Sequence, residues 1–409
     1  ALLFPLAALL ASPASAQGPI AVGGRLTADG AVRIALERSE VGAAATARTD
    51  ASRAARREAA VWPNPKLGYD HEQLVEGEVE DSVTLSQAID LAGKRRLAGD
   101  AAARRTRQVE AENDARRLEI ERRARLAFYR ALHAQHVIRA FDRWVAGLEA
   151  AVGDAVQRAA AGDASEYDRM RLERELALAR AAALRARAEA ERAWAELESA
   201  LGTAGELAPR PGLDGNLLPD RPPPDARQVR ERVAENPDAA VLDAAVESWR
   251  LEERSADRSR FPDVDLTVGY RTADGEGERA HGFIAGVALP IPLFDRSQGR
   301  RQHAEAQRRL VEAERAMGRD RILSVALGLR AAAEVLIAAA SELRAASLSG
   351  SARLGAAVQE AYRGGEIGVL ELVDAHGSEL EAEIETLALE LAARQARIEL
   401  DRWIGGEPR

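Results

Sequence analysis

The sequence predicts a mainly helical protein that also carries membrane-type β-strands, internally duplicated, with one order of elements written twice. Three observations lead there. The composition favours long helices, apolar–polar alternation appears in short windows, and matching landmarks recur roughly 200 residues apart along the 409-residue chain. Ala, Arg, Leu and Glu dominate, and all four are strong helix formers. Aromatic residues make up only 4% of the chain, too few for the ordinary globular cores that such a length would otherwise suggest. Long helices meeting through narrow Ala/Leu seams fit this composition better.

The elements follow in order. Residues 1–16 read as a secretory signal: an apolar run from Leu2 to Leu10, then Pro13 and an Ala14-Ser15-Ala16 cleavage site before Gln17. Beyond it no apolar window of membrane-helix length is expected, so a membrane crossing falls to strands. Residues 17–202 form the first repeat, 203–224 a Pro-rich linker through Pro222-Pro223-Pro224, and 225–405 the second repeat. Each repeat opens with a helix, capped by Thr27 in one and Asp225 in the other, with Asn236-Pro237 breaking or kinking the second. Both helices stop at an aromatic–proline step, Trp62-Pro63 and Phe261-Pro262.

There the period changes from 3.6 to 2. Val83, Leu85, Gln87 and Ile89 alternate with Ser82, Thr84, Ser86 and Ala88; Val264, Leu266, Val268 and Tyr270 alternate with Asp265, Thr267, Gly269 and Arg271. Hairpins are expected over 64–91 and 262–292, with the Ser/Thr/Gly set facing water and the apolar set facing lipid. Long helix pairs follow, Lys94–Ala150 with Gly153–Leu201 and Arg301–Ser347 with Ser351–Trp403, broken at Gly153 and at Leu348-Ser349-Gly350. Four strands cannot close a barrel, and lipid does not tolerate open sheet edges. Three chains pooling them would make twelve, enough to surround water.

The order helix, hairpin, helix pair, repeated after a signal, resembles the TolC-like outer-membrane efflux channels (outer membrane factors). The residues that carry the likeness are Leu26-Thr27 with Ala31-Val32 and Ala35-Leu36, Trp62-Pro63-Asn64-Pro65, and Ala361-Tyr362-Arg363-Gly364-Gly365-Glu366-Ile367 followed by Leu370-Glu371-Leu372-Val373-Asp374-Ala375. The resemblance implies a homotrimer in the outer membrane of a Gram-negative bacterium: a twelve-stranded barrel continuous with a helical tunnel in the periplasm. It implies docking on a periplasmic adapter (membrane fusion protein) and an inner-membrane pump of the resistance-nodulation-division type, with solute passing passively. It also implies a periplasmic gate. Glu371 and Asp374, spaced i,i+3, share one helix face, and in a trimer each would form a ring of three carboxylates. Tyr362 matches a tyrosine that ties helices at the closed tip, with Asp168 as its partner; Ile367 stands where some members carry arginine. Gly162 and Gly365 match the adapter-facing turns, or are plain chain reversals.

Lys94-Arg95-Arg96 opens the first long helix and Arg300-Arg301 echoes it. At a strand-to-helix junction these are either a membrane-interface cluster meeting lipid phosphates or a solvated helix start. The Gly93-Lys94-Arg95 wording resembles the heavy-metal (cobalt–zinc–cadmium type) branch of the family.

The remaining chemistry is absent. Net charge is −9, which disfavours nucleic acid as a partner. There is no cysteine, and the six histidines complete no zinc set; His133 and His136 read as helix surface. No phosphate loop, dinucleotide fingerprint or nucleophile elbow appears. No cofactor and no enzymatic activity are expected. The competing reading is a non-transporting exported coiled-coil scaffold or adapter.

Overall fold

The structure, a computed structural model, describes residues 24–73, 79–161, 165–205, 207, 209–275 and 278–406. The leader expected at 1–16, the turn Glu76-Gly77-Glu78 and Gly162 lie outside the described residues. Two compact units emerge, each drawing on both halves of the chain. One gathers residues up to Arg38 with Ile120–Pro223 and Ala332–Ile398; the other gathers Ser39–Glu119, Pro224–Ala331 and the residues from Glu399 on.

The second unit carries the strands β1 (Lys66–Gln73), β2 (Val79–Ile89), β3 (Val264–Gly275) and β4 (Glu278–Ala288). They form one antiparallel sheet in the order β1-β2-β3-β4, so the two hairpins lie side by side and β2 pairs with β3 over their whole length. Cross-strand partners share a face. The pairs Leu67–Leu85–Val268, Tyr69–Val83–Tyr270–Phe283 and Gln87–Leu266–Val287 therefore lie on one side. That side is uncovered: Phe283 is 92% and Val287 73% exposed. Towards the hairpin turns the apolar band ends in a polar, aromatic rung. Tyr69 Oη donates to Asp81 at 2.6 Å, His71 Nδ1 lies 2.8 Å from the same carboxylate, and Tyr270 Oη lies 2.7 Å from His281 Nδ1. The opposite face carries Ser82, Thr84, Ser86, Thr267 and Gly269, with Thr84 seated between Gly68 and Gly269. A Cβ on either glycine would fall within 3 Å of the Thr84 side chain, so the polar face admits only small residues there.

Helices precede each hairpin in pairs. α1 (Ala28–Leu36) is capped by Thr27 and α2 (Ser39–Ala60) follows after a break at Glu37-Arg38, where the sequence predicts one helix. α5 (Ala226–Val233) starts in a reciprocal capping box between Asp225 and Gln228, and α6 (Pro237–Arg258) starts with Asn236 as cap and Pro237 in its first turn. In the second unit Val229, Val233, Ile322, Ala326, Leu400 and Ile404 bury one another, and the Asn236 amide donates to the carbonyl of Trp403 at 2.7 Å.

The long helices are α3 (Lys94–Ala161), α4 (Glu166–Leu201), α7 (Gln298–Gly364) and α8 (Val369–Trp403). Two expectations fail here. α3 runs straight through Gly153, and α7 runs through Leu348-Ser349-Gly350. A glycine inside a helix costs only ~1 kcal/mol, which the flanking hydrogen-bond ladder outweighs. The breaks fall instead before Ser165, which caps α4, and at Gly365. α7 also holds, within Gln298–Ala346, a stretch long and apolar enough to cross a membrane, contrary to the expectation that none exists beyond the leader. Its buried members Ile322, Ala326, Ala333 and Ala340 follow helix-packing spacing, Leu323, Leu327 and Leu329 pack partly buried against the same core, and further along an alanine-rich side is more open, with Val335 68% exposed.

In the first unit Leu26, Val32, Phe128, Leu132, Trp194, Leu197 and Leu201 form the main core. The linker packs on it in extended form. Leu26 pairs in parallel with Leu213, and α8 holds the next segment through arginines. The Arg394 guanidinium donates to the carbonyls of Asn216, Leu217 and Leu218 at 2.6–2.9 Å while stacking 4.7 Å over Tyr129, and buried Arg397 donates to those of Arg221 and Pro222. A proline-rich strand has few donors of its own and no sheet partner, so side-chain donors satisfy its carbonyls. Replacing Arg394 by Ala strands three carbonyls. The expected loss is ~2–4 kcal/mol of unfolding free energy, with faster proteolysis between 204 and 224, read by denaturant melts and limited digestion.

Candidate functional site

The first unit brings together the end of α3, the start of α4, the end of α7 and the start of α8. Leu148, Ala151, Ala155, Leu172, Leu176, Tyr362, Val369 and Leu372 form one buried cluster, with Ile367 and Val373 packed against it. Tyr362 is its largest member, 2% exposed. The α7–α8 turn is dictated by Gly365. Its φ of +74° lies in the left-handed region that side chains avoid, and the amides of Gly365 and Glu366 close back onto the carbonyls of Tyr362 and Ala361.

Polar ties join α3 to α7 across this core. Asp154 accepts from Gln359 Nε2 at 3.0 Å and from Arg363 Nε at 2.9 Å. Arg158 donates to the Tyr362 carbonyl at 2.8 Å, its guanidinium 5.2 Å from the Tyr362 ring centre. The Tyr362 hydroxyl is buried with no hydrogen-bond partner among the described residues. Burial raises its pKa, the Asp168 and Asp154 carboxylates push it the same way, and Arg158 opposes them. Asp168 itself turns to its own helix start, accepting from Ser165 Oγ at 2.8 Å. Within one chain, then, the expected Tyr362–Asp168 bond is not made.

Glu371 and Asp374 occupy the first turns of α8, both exposed, with buried Leu372 on the other face. Their i,i+3 spacing sets them on the same solvent side, and neither is drawn into an ion pair with the described residues. Ile367, where a charge stands in some resembling proteins, adds apolar packing. Sequence reasoning missed Asp154, Arg158, Gln359 and Arg363, because an arginine-rich chain offers no local mark for the few that bridge helices.

The basic cluster divides. Lys94 Nζ and Arg95 Nη2 both pair with Asp263, at 2.8 and 3.2 Å, and Arg95 lies 5.7 Å from the Trp62 ring centre. These two cations are half-buried ties between the two hairpin bases, rather than a uniformly solvated patch. Arg96, Arg300 and Arg301 stay exposed. Among the described residues no group of three or more metal-ligating side chains is gathered. His133, His136 and His376 are each partly buried, which lowers their pKa.

Residues 229–406 match a family model described as outer membrane efflux protein. The cobalt-zinc-cadmium resistance protein CzcC of Cupriavidus metallidurans is 27% identical over 400 residues, covering 96% of this chain and 92% of that one. Among solved structures, the outer membrane protein VceC of Vibrio cholerae superposes with a TM-score of 0.75 at 17% identity, over 93% of this chain and 96% of its own. A membrane protein of Pseudomonas aeruginosa gives 0.73 at 21% identity, over 92% and 93%. These two share the fold.

Two outcomes are expected at this site. Tyr362→Phe removes a buried hydroxyl that has no partner, so thermal unfolding should change by less than ~1 kcal/mol, whereas Tyr362→Ala should cost ~3–5 kcal/mol. For His376, which faces Gln359 Oε1 at 3.4 Å with Glu379 nearby, burial holds the folded pKa below the ordinary 6.5. Between those two pKa values the unfolded chain binds more protons, so stability falls as pH drops below 6.5. His376→Gln should flatten that acid-side decline in melting temperature.

Proposed function

Because residues 229–406 match the outer membrane efflux protein model and the chain resembles CzcC along nearly its whole length, we propose that it is a channel of that family, three copies closing one twelve-stranded barrel in the outer membrane and continuing it as a helical tunnel through the periplasm. The family consists of channels of tripartite efflux systems rather than enzymes. The observation that carries the proposal is the four-stranded sheet, whose β1 and β4 edges have no partner strand among the described residues and whose apolar face is uncovered. Hydrocarbon tolerates such edges only when a barrel closes. A water-soluble scaffold would instead have to cover that face, and the family match sets that reading aside. The more open alanine-rich side of α7 supports the same remedy for the helices, a seam against a neighbouring copy. The order helix, helix, strand, strand, long helix, long helix occurs twice, which supports an origin by duplication.

The α7–α8 turn is then the periplasmic end of the tunnel. Glu371 and Asp374 form stacked carboxylate rings there, with Tyr362 and Asp168 in the surrounding gate, and the turn at Gly365 faces the periplasmic adapter that links the channel to an inner-membrane pump of the resistance-nodulation-division type. The cargo class favoured is a heavy-metal cation. CzcC is named for cobalt, zinc and cadmium resistance, its identity spans nearly the whole chain, and rings of carboxylates attract cations.

Two measurements test this. The protein should partition with outer membranes and migrate unheated as a trimer; a soluble monomer would exclude the barrel. In planar bilayers, Glu371→Ala with Asp374→Ala should reduce cation over anion preference roughly threefold, the factor that ~0.7 kcal/mol of lost attraction gives; unchanged selectivity would remove both residues from the gate.

A further inference from the structure

A cavity of about 600 Å³ opens in the second unit where the strands become helices, walled by α2, α3, α6 and the start of α7. Four cations line it, Lys94, Arg95, Arg105 and Arg300, against two carboxylates, Asp263 and Glu252, leaving a formal excess of two positive charges. Asp263 is already shared by Lys94 and Arg95. Arg95 Nη1 is nonetheless buried with no partner among the described residues. The Arg105 guanidinium lies 5.3 Å from the Trp249 ring centre, and among the described residues Arg300 reaches only the Ser259 hydroxyl, at 3.3 Å. The serines have their hydroxyl protons engaged: Ser255, Ser259 and Ser297 each give theirs to a backbone carbonyl, and Ser52 gives its own to Thr106, whose proton goes to the Ala102 carbonyl. What the cavity offers is guanidinium N–H in excess, the geometry that binds phosphate oxygens in pairs.

The surroundings specify the rest of the ligand. Trp62, Phe261, Ile291, Leu293 and Phe294 lie exposed around the same junction, Phe294 at 91%. In the chain they flank the helix end of the strands, Trp62 and Phe261 just before β1 and β3 and Ile291, Leu293 and Phe294 just after β4. Two of them touch residues of the cavity wall: Arg95 stacks on Trp62, and Lys94 Nζ donates to the Phe261 carbonyl at 3.1 Å. An apolar collar joined to a cationic recess matches a phospholipid, acyl chains outside and phosphate within. We propose that this cavity binds the phosphate of an anionic phospholipid from the periplasmic leaflet of the outer membrane, with Arg95, Arg105 and Arg300 as its donors.

The inference rests on the outer-membrane placement above, and its test separates the two. The full-length protein, extracted in mild detergent, is titrated with phosphatidylglycerol and, separately, with inorganic phosphate, and bound lipid is counted by native mass spectrometry. Expected is retention of about one phosphatidylglycerol per chain that millimolar phosphate does not displace. The double variant Arg105→Gln, Arg300→Gln should lower occupancy at least fivefold while its trimer and membrane fractionation stay unchanged. Equal occupancy in wild type and variant overturns the site while leaving the channel reading intact, and displacement by inorganic phosphate overturns the lipid assignment. Should the double variant not assemble, Arg105→Gln alone, whose side chain is anchored only by the Trp249 ring, is expected to lower occupancy at least twofold; no change would overturn the proposal.

Discussion

The outer edges of β1 and β4 set the terms for everything else in this protein. Each presents a row of main-chain N–H and C=O groups along a strand whose outward side chains are apolar. In water such edges could be hydrated. In hydrocarbon each unpaired group costs several kcal/mol, so the sheet is tolerable there only as one section of a closed ring. The helices repeat the same incompleteness in another form. α7 buries one stripe and leaves part of an alanine-rich side exposed, a surface suited to close helix packing and poorly suited to solvent. One remedy, further copies of the chain, satisfies both.

The strands were legible because a period of two, combined with a burial contrast between faces, has one solution for register. A slip of one residue would turn Leu85 and Val268 onto the polar side beside Thr84 and Gly269. The caps at Thr27 and Asp225 were legible too, since each satisfies helix-end donors in a way few residue types can, and Asn236-Pro237 was legible as a break, though not as the cap of the helix that follows it. Helix interruptions were not. Gly153 looks like a breaker and breaks nothing, while the α1–α2 boundary falls at Glu37-Arg38, where neither glycine nor proline marks it. Helix continuity depends on what the flanking turns pack against, and that information lies elsewhere in the chain. Alanine-rich helices also blur the distinction between a seam and a span, which hides the apolar stretch of α7 in the sequence.

For the site, spacing carried the part that depends on one helix. Glu371 and Asp374 emerge on the same exposed side because i,i+3 guarantees it, with Leu372 turned inward. What depends on two helices was out of reach. Asp154 meets Gln359 and Arg363 across some 200 residues, and Lys94 and Arg95 leave their sequence neighbour Arg96 to pair with Asp263. Sequence adjacency grouped three cations that the fold divides between a buried tie and an exposed surface.

That division of labour bears on how a gate could work. Asp154, Arg158 and the shared core bind the ends of α3, α4, α7 and α8 into one body within each chain, and Ile367 adds packing where a charge would add a directional tie. In the proposed trimer, movement at the tunnel end would then fall to contacts between copies and to the groups left unpaired within one, the Tyr362 hydroxyl and the Glu371 and Asp374 carboxylates. Rings of unpaired carboxylates oppose narrow closure, because like charges brought together in a constriction repel. A cation entering the ring relieves that repulsion. In the proposed trimer, electrostatics at Glu371 and Asp374 would thus couple the width of the opening to the charge of what passes, without requiring any ligand-binding pocket in the wall.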